Sequence, residues 1–406
     1  MQDLETMQFI LFFAVWLLLI ATAHYYVGKR TIPHCDVSVK GQRKLWGLLW
    51  VVFLIPEIPF FLLVGGIETW WNELLSWIGY VLLGAFSMSL SLIAVRDLWL
   101  VFWKFLKRLS GRPWGPRLSK SGTDYERRRL LFHSTNMGAV GLATVVSGYG
   151  VYESHRKAVV EDVSIPMDNL PMAFNGFRIV QISDIHIGPT IKRAFVERIV
   201  RQVNDLKPDL IAFTGDLVDG TVAWLRDDVA PLRELSSPYG LFFVTGNHDY
   251  YSGAGPWIKE AERIGFDPLI NEHRIISRSR QSLILAGITD FTAEQFIPSQ
   301  ASDPAKAFKD SPPNLPRILL AHQPKSIFAA ADVGCDLQLS GHTHGGQFFP
   351  WNFMVTLGQP FIAGLHKLKD TLIYVNRGIG YWGPPVRVGI PPEITVLELT
   401  HPAQNG

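Results

Sequence analysis

The distribution of apolar residues changes character part-way along the chain. Up to about residue 152 they form long runs with few charges, and after about residue 158 they form short runs parted by polar and turn segments. The first long run carries no charged residue over 6–28, and its core FILFFAVWLLLI is apolar enough to cross a bilayer, which predicts a span near 8–27. Asp3 and Glu5 give it an acidic start where a cleavable signal carries a basic one, so an anchor is expected. The second run, 45–66, holds Glu57 between Pro56 and Pro59 and predicts a span with a break. A blander account of Glu57 than a proton or ligand site is a place in a protein-lined break, and no role is assigned to it. The third run, 74–95, is uncharged, and RDLWLVFWKFLKR behind it reads as an interfacial helix. A fourth, 130–152, has spanning length but is rich in Gly, Ser and Thr, and its prefix ERRRLLF resembles a twin-arginine export signal.

The short runs that follow read as the strands of a layered α/β domain: 177–184, 209–216, 241–249, 282–290, 317–323, 336–344, 371–376 and 393–399. Between the first two, Phe195, Ile199, Val203 and Leu206 recur at helical spacing, which predicts a β-α-β start. The chain is therefore expected to comprise a transmembrane region over 1–152 and a catalytic domain over 158–400.

Composition sharpens this division. Hydrophobic residues make up 48% of the 406 and charged residues 18%, with 13 Trp and 25 Phe, which is too apolar for an ordinary soluble protein. A net charge of +2 gives nucleic-acid binding no support. Cys35 and Cys335 lie far apart and offer neither a disulfide framework nor a thiolate cluster. Lys29, Arg30, Lys40, Arg43 and Lys44 follow the first span, whereas Glu68 and Glu73 follow the second, so the positive-inside rule places the first loop in the cytoplasm. Lys104, Lys107, Arg108, Arg112, Arg117, Lys120 and Arg127 to Arg129 put the stretch after the third span on the same side. If 130–152 crosses, the catalytic domain is extracytoplasmic, which is the expectation; if it lies at the surface, the domain is cytoplasmic.

Polar residues recur where the short runs end. Asp184 and His186, Asp216, Asn247 and His248, His322, then His342 and His344 all fall where a strand gives way to a loop, the usual edge for a site in an open α/β sheet. One such residue means nothing, but their repetition at successive strand ends predicts convergence. Imidazole with carboxylate, without thiolate, selects ions such as Mn, Fe or Zn, and two ions bridged by a carboxylate suit phosphoester hydrolysis. Gly215, Gly246, Gly341, Gly345 and Gly346 are placed to let backbone turn tightly beside these residues.

Taken together, SDIHIG, TGDLVDG, GNHDYY, AHQP and GHTHGGQ resemble the motifs of the calcineurin-like metallophosphoesterases, and within them the membrane-associated YkuE- and YaeI-type phosphodiesterases, over roughly 160–400. The resemblance implies a β-sandwich flanked by helices (α/β/β/α), here preceded by a helical membrane region. It implies one divalent ion on Asp184, His186 and His344, a second on Asn247, His322 and His342, and Asp216 between them. It also gives His248 contact with the scissile phosphate and help to the leaving group, with Asp249 orienting its imidazole. Asp219 is read as a turn or supporting carboxylate, and Arg377 and Arg387 as surface salt bridges in preference to phosphate contacts. The aromatic stretch 347–369 either dips into lipid or folds over the domain's own core.

The expected function is thus a membrane-anchored, two-metal hydrolase of phosphodiester or diphosphate bonds in a lipid-linked or cell-envelope substrate, held in the plasma or inner membrane with the bilayer as a partner. Alternatives are a membrane sensor or scaffold that binds metal and hydrolyses incidentally, or a UDP-2,3-diacylglucosamine pyrophosphatase if the domain is cytoplasmic. Oligomeric state stays open.

Overall fold

The structure is a computed structural model that describes residues 2–64, 67–109 and 122–401, and the side chains of 2–10, 12, 63, 64 and 122–129 lie outside the described part. The chain divides into two units, Met1–Tyr149 and Gly150–Gly406.

The first unit is helical, with α1 (Gln2–Thr31), α2 (Val39–Val64), α3 (Trp70–Leu109) and most of α4 (Gly122–His155). Among the described residues three helices are long and apolar enough to cross a membrane: Val39–Leu62, Trp70–Leu109 and Leu130–His155. The predicted first span falls in α1, partly on side chains outside the described part, and Arg112, Arg117 and Lys120 lie outside it altogether.

Two expectations are corrected. α2 runs unbroken through Pro56 and Pro59. A proline removes one amide donor, and breaking the helix in hydrocarbon would strand more backbone groups than that. α3 is one helix of 40 residues, so the supposed interfacial helix is its continuation; at 1.5 Å per residue it reaches about 60 Å, twice a hydrocarbon core of about 30 Å.

A polar knot ties α1, α3 and α4 at one level. Arg30 Nε lies 2.7 Å from Asp97 Oδ2, Tyr26 donates to the same oxygen at 2.7 Å, Asn136 Nδ2 donates to the Arg30 carbonyl at 2.6 Å, and Arg96 donates to Asn136 Oδ1. Glu57 is buried within the unbroken α2 and accepts from Trp16 Nε1 at 3.3 Å.

The second unit contains twelve strands: β1 (Val159–Pro166), β2 (Phe177–Ile182), β3 (Leu210–Phe213), β4 (Leu241–Phe243), β5 (Asp267–Pro268), β6 (Glu272–Arg278), β7 (Gln281–Gly287), β8 (Arg317–Leu320), β9 (Leu337–Ser340), β10 (Gly364–Leu368), β11 (Thr371–Val375) and β12 (Glu393–Thr400). They form two six-stranded sheets in the orders β1-β12-β2-β3-β4-β5 and β10-β11-β9-β8-β7-β6. Within the first, β2 to β5 are parallel, and within the second β7, β8, β9 and β11 are parallel. All eight predicted strands are present, although every predicted run but the last over-reaches into the loop that follows or the turn before it.

Alternation along each strand builds the layers. Phe177 and Ile179 of β2, Leu210 and Ala212 of β3, Leu283 and Leu285 of β7, and Ile318 and Leu320 of β8 meet between the sheets. Their neighbours Val180, Ile182, Ile211 and Phe213 face outward onto α5 (Arg193–Asp205), α6 (Val222–Val229) and, beyond the short α7 (Asn247–Tyr251), α8 (Ala254–Arg263). Phe195, Ile199 and Val203 are buried on α5, the predicted helical face. Outside the second sheet, Ile284, Ala286, Leu319 and Ala321 pack on α9 (Pro304–Ala307) and α10 (Ile327–Asp332). The last helix, α11 (Trp351–Met354), lies in the predicted aromatic stretch. The order of layers is α/β/β/α, as expected, and every buried Leu, Ile or Phe in it contributes roughly 1.5–3 kcal/mol. Both cysteines are free, as expected.

Candidate metal centre

Each motif leaves the end of a parallel strand in the same way. Asp184 and His186 follow β2, Asp216 follows β3, Asn247 follows β4, His322 follows β8, and His342 and His344 follow β9. The parallel strands of both sheets deliver these residues to one edge. Asp184, His186, Asp216, His342 and His344 all take positive φ, at 54°, 54°, 55°, 71° and 50°. That left-handed turn is costly for a side chain bearing a β-carbon, and it swings each polar group back over the strand ends. Two glycines make room: a β-carbon on Gly341 would strike Ser183 Oγ and Asp184 Oδ2, and one on Gly246 would strike Asp216 Oδ1.

Three sets of ligand atoms lie within 4.8 Å of one another: Asp184, His186 and His344; His186, Asp216 and His248; Asp216, His322 and His342. Asp216 is shared by two of them. His186 Nε2 and His344 Nε2 stand 3.0 Å apart, and His322 Nε2 and His342 Nδ1 3.2 Å. Asp216 Oδ2 lies 3.1 Å from His322 Nε2 and 3.7 Å from His186 Nε2, and Asp184 Oδ1 lies 3.5 Å from His344 Nε2. Ligand atoms that share one ion at bonds of about 2.0–2.2 Å stand roughly 3–3.5 Å apart, so these separations fit cations. Asn247 supplies a separate test, because its Oδ1 is buried without a hydrogen-bond partner, an arrangement that a cation would satisfy.

Neighbouring bonds aim the rings. The His322 Nδ1 faces the Thr214 carbonyl at 2.8 Å, which turns Nε2 inward, and the His342 amide donates to both oxygens of Asp184 at 3.0 Å. Burial, reinforced by the charge of His322, pushes His342 down to about 3, and burial with the charges of His186 and Arg387 takes His344 well below the usual imidazole range. Both are therefore neutral, the form that ligates. Against burial, the imidazoles of His322, His248 and His186 hold Asp216 well below the usual carboxylate range.

Asp249 does not reach the His248 ring. As the third residue of the turn that opens α7, it points back and accepts from the amides of Gly246, Leu217 and Asp216 at 2.8, 3.0 and 3.1 Å. The carboxylate on the ring is Asp219, whose Oδ1 lies 2.6 Å from His248 Nδ1 and whose Oδ2 lies 3.1 Å from His186 Nδ1. Burial would lower the pKa of His248, but Asp219 and Asp216 outweigh it and raise it to about 9. Asp219 was legible as a supporting carboxylate, but nothing in the sequence signalled which rings it supports.

Arg387 is fully buried and not a surface salt bridge. It donates to the carbonyls of Gly380, Arg377 and Ile390. Its Nη2 is also 3.1 Å from His344 Nδ1, but the two hydrogens there have nearer acceptors in Gly380 O at 2.6 Å and Arg377 O at 2.8 Å. Arg377 pairs with the buried Glu393 and with Glu161. Gln347, which ends the last motif, was given no role by the sequence. Its Oε1 accepts from the Trp382 amide at 2.7 Å and its Nε2 donates to the Trp382 carbonyl at 3.1 Å, which pins that loop beside the centre. Phe348 is buried, so the start of the aromatic stretch folds into the domain, whereas Phe349, Trp351, Phe353, Met354 and Leu357 are exposed.

Comparison with known proteins agrees with this geometry. The pattern of the calcineurin-like phosphoesterases matches residues 177–346. A transmembrane protein with metallophosphoesterase domain from Danio rerio is 34% identical over 97% of this chain and 89% of its own. The uncharacterized metallophosphoesterase YkuE of Bacillus subtilis is 32% identical over 67% of this chain and 97% of its own, and the uncharacterized metallophosphoesterase Cj0846 of Campylobacter jejuni is 29% identical over 97% and 99%. With membrane-crossing helices ahead of a sandwich that gathers Asp, Asn and His at one edge, the chain is a membrane protein and belongs to the calcineurin-like metallophosphoesterases, hydrolases of phosphoester bonds.

Proposed function

We propose that the chain hydrolyses phosphodiester or diphosphate bonds of a lipid-linked substrate with two divalent cations, one on Asp184, His186 and His344, the other on Asn247, His322 and His342, and Asp216 between them. The observation that carries this reading is Asp216, whose Oδ2 lies 3.1 Å from His322 Nε2 of one proposed set and 3.7 Å from His186 Nε2 of the other. Mn, Fe and Zn all suit the mixed imidazole and carboxylate donors. When bound, such cations offset charge on the phosphoryl oxygens and acidify a water.

The side chains supply the remainder. Hydrolysis makes one bond from phosphorus to a water oxygen, breaks the bond to the leaving oxygen, and leaves a proton on that oxygen. His248, with Nδ1 held by Asp219, presents Nε2 to the centre and holds the proton the leaving oxygen takes. Asp249 positions the strand ends through backbone amides, and it fixes the Asp216 loop without touching substrate. Asp219→Asn is expected to lower kcat/KM about 10- to 100-fold, because it loosens a ring of the first ion set and the leaving-group imidazole together. A matched loss in metal affinity, read by titration with Mn(II), distinguishes it from His248→Ala, which should leave metal content intact.

The polar knot supports a reading of the side of the membrane. It places Asn136 of α4 level with Arg30 of α1, next to the basic loop expected in the cytoplasm. From Asn136 to the end of α4 at His155 the helix rises about 28 Å, close to the thickness of a hydrocarbon core. This supports an extracytoplasmic catalytic domain, and hence a phospholipid, prenyl diphosphate or envelope-polymer substrate in place of UDP-2,3-diacylglucosamine. The test is hydrolysis of a chromogenic phosphodiester and its monoester by the detergent-solubilised chain, with Mn(II) or with chelator. Turnover of the diester that requires metal supports the reading, while metal binding without turnover of either ester would favour the sensor.

A further inference from the structure

Two aromatic side chains from separate parts of the sequence flank His248, and a third backs one of them. Tyr251 stands at the end of α7, with its ring centroid 5.1 Å from that of His248. Trp382, held through its backbone by Gln347, lies 6.1 Å from His248. Phe296, from the segment after β7, packs behind Tyr251 with centroids 5.5 Å apart and the rings tilted by 60°. None of the three is part of the fold's core: Tyr251 is 60% exposed, Trp382 54% and Phe296 45%.

Side chains of this size normally lose most of their exposure on folding, and exposed aromatic surface gathered at one point marks a place that something else covers. A chain segment that merely needed to turn here could do so without rings. The rim contributes almost no polarity, one hydroxyl and one indole N–H, so it cannot hold the anionic part of a phosphoester. It suits what lies beyond the phosphate on the side that His248 faces. Trp and Tyr are also the residues that tolerate an apolar body with a wet edge, which matches a substrate drawn from the bilayer that this chain's helices enter.

We infer that Tyr251, Phe296 and Trp382 form a leaving-group subsite for an alcohol with a hydrocarbon body, such as an acylglycerol or a prenyl alcohol. The inference rests on the proposed hydrolysis with His248 at the leaving oxygen. It makes the rim a determinant of specificity, with the cations acting on the phosphate and the rings acting on the alcohol.

The experiment uses the full chain in detergent with Mn(II) and two phosphodiesters alike except in the leaving alcohol, dodecyl in one and methyl in the other, with products read by mass spectrometry. Tyr251→Ala and Trp382→Ala are each expected to lower kcat/KM about tenfold or more on the dodecyl ester and less than about twofold on the methyl ester. Trp382→Phe should restore most of the loss. Equal losses on both esters would assign the rings a structural role and overturn the inference, as would no loss on either. A wild-type preference for a nucleoside over dodecanol as leaving group would also overturn it, since stacking would then be the rim's purpose. Absence of metal-dependent turnover on both esters in the wild type is a different failure, which removes the hydrolytic reading itself.

Discussion

Asp216→Asn lowers hydrolysis of a phosphodiester by about three orders of magnitude while leaving the fold intact. The substitution keeps the shape of the side chain, and its oxygen still accepts the His248 amide, which Asp216 Oδ1 does at 2.8 Å. What it removes is the negative charge shared by two sets of ligand atoms. It also turns an N–H₂ toward His322 Nε2, which Asp216 Oδ2 now meets at 3.1 Å. A loss of about 4 kcal/mol of transition-state stabilisation corresponds to roughly a thousandfold, a range within what divalent cations contribute to phosphoryl transfer. The measurement is kcat/KM on a chromogenic diester beside metal content by elemental analysis. A rate within tenfold of the wild type, with metal content unchanged, would remove Asp216 from the place between two ions.

The largest effect on stability belongs to Arg387→Met. Its guanidinium lies in the interior and satisfies the carbonyls of Arg377, Gly380 and Ile390, which close the loop around the last motif. Methionine fills comparable space, but three acceptors lose a donor, and an unsatisfied buried acceptor costs about 1–3 kcal/mol. Some of these carbonyls find water, so a net loss of about 3–5 kcal/mol is expected, which lowers the melting temperature of the catalytic unit by roughly 10 °C. Arg387→Lys, with a charge but fewer and differently directed donors, should fall between. A thermal melt followed by circular dichroism checks the order, and an unchanged melt for Arg387→Met would mean that the loop does not depend on this network.

What the sequence revealed and what it hid divide along a physical line. The eight strands it disclosed are the interior ones, covered on both faces and therefore written as unbroken apolar runs. The four it hid, β1, β5, β6 and β10, are the edges of the two sheets. Edge strands face water and carry polar residues, as Glu161 and Asp162 do in β1 and Glu272, His273 and Arg274 in β6. The candidate ligands were legible for a similar reason: they stand at the ends of interior strands, so strand pattern and motif pointed to one place. Asp249 and Asp219 show the limit. On paper Asp249 was the carboxylate that orients the His248 ring and Asp219 a turn or supporting one, and the direction of the α7 turn sends Asp249 to backbone amides and leaves the rings to Asp219. Arg387 escaped because a buried guanidinium bonded to carbonyls leaves no partner of opposite charge to notice.

The left-handed turns at Asp184, His186, Asp216, His342 and His344 bear on how such a chain changes over time. Each costs about 1 kcal/mol against a glycine in the same place, and together they take of order 5 kcal/mol from a domain whose whole margin is about 5–15. At these positions folding and chemistry select different residues. A copy released from its reaction would fold better as it discarded the very side chains that performed it, so disuse would be written at these five places first and in the form of glycine.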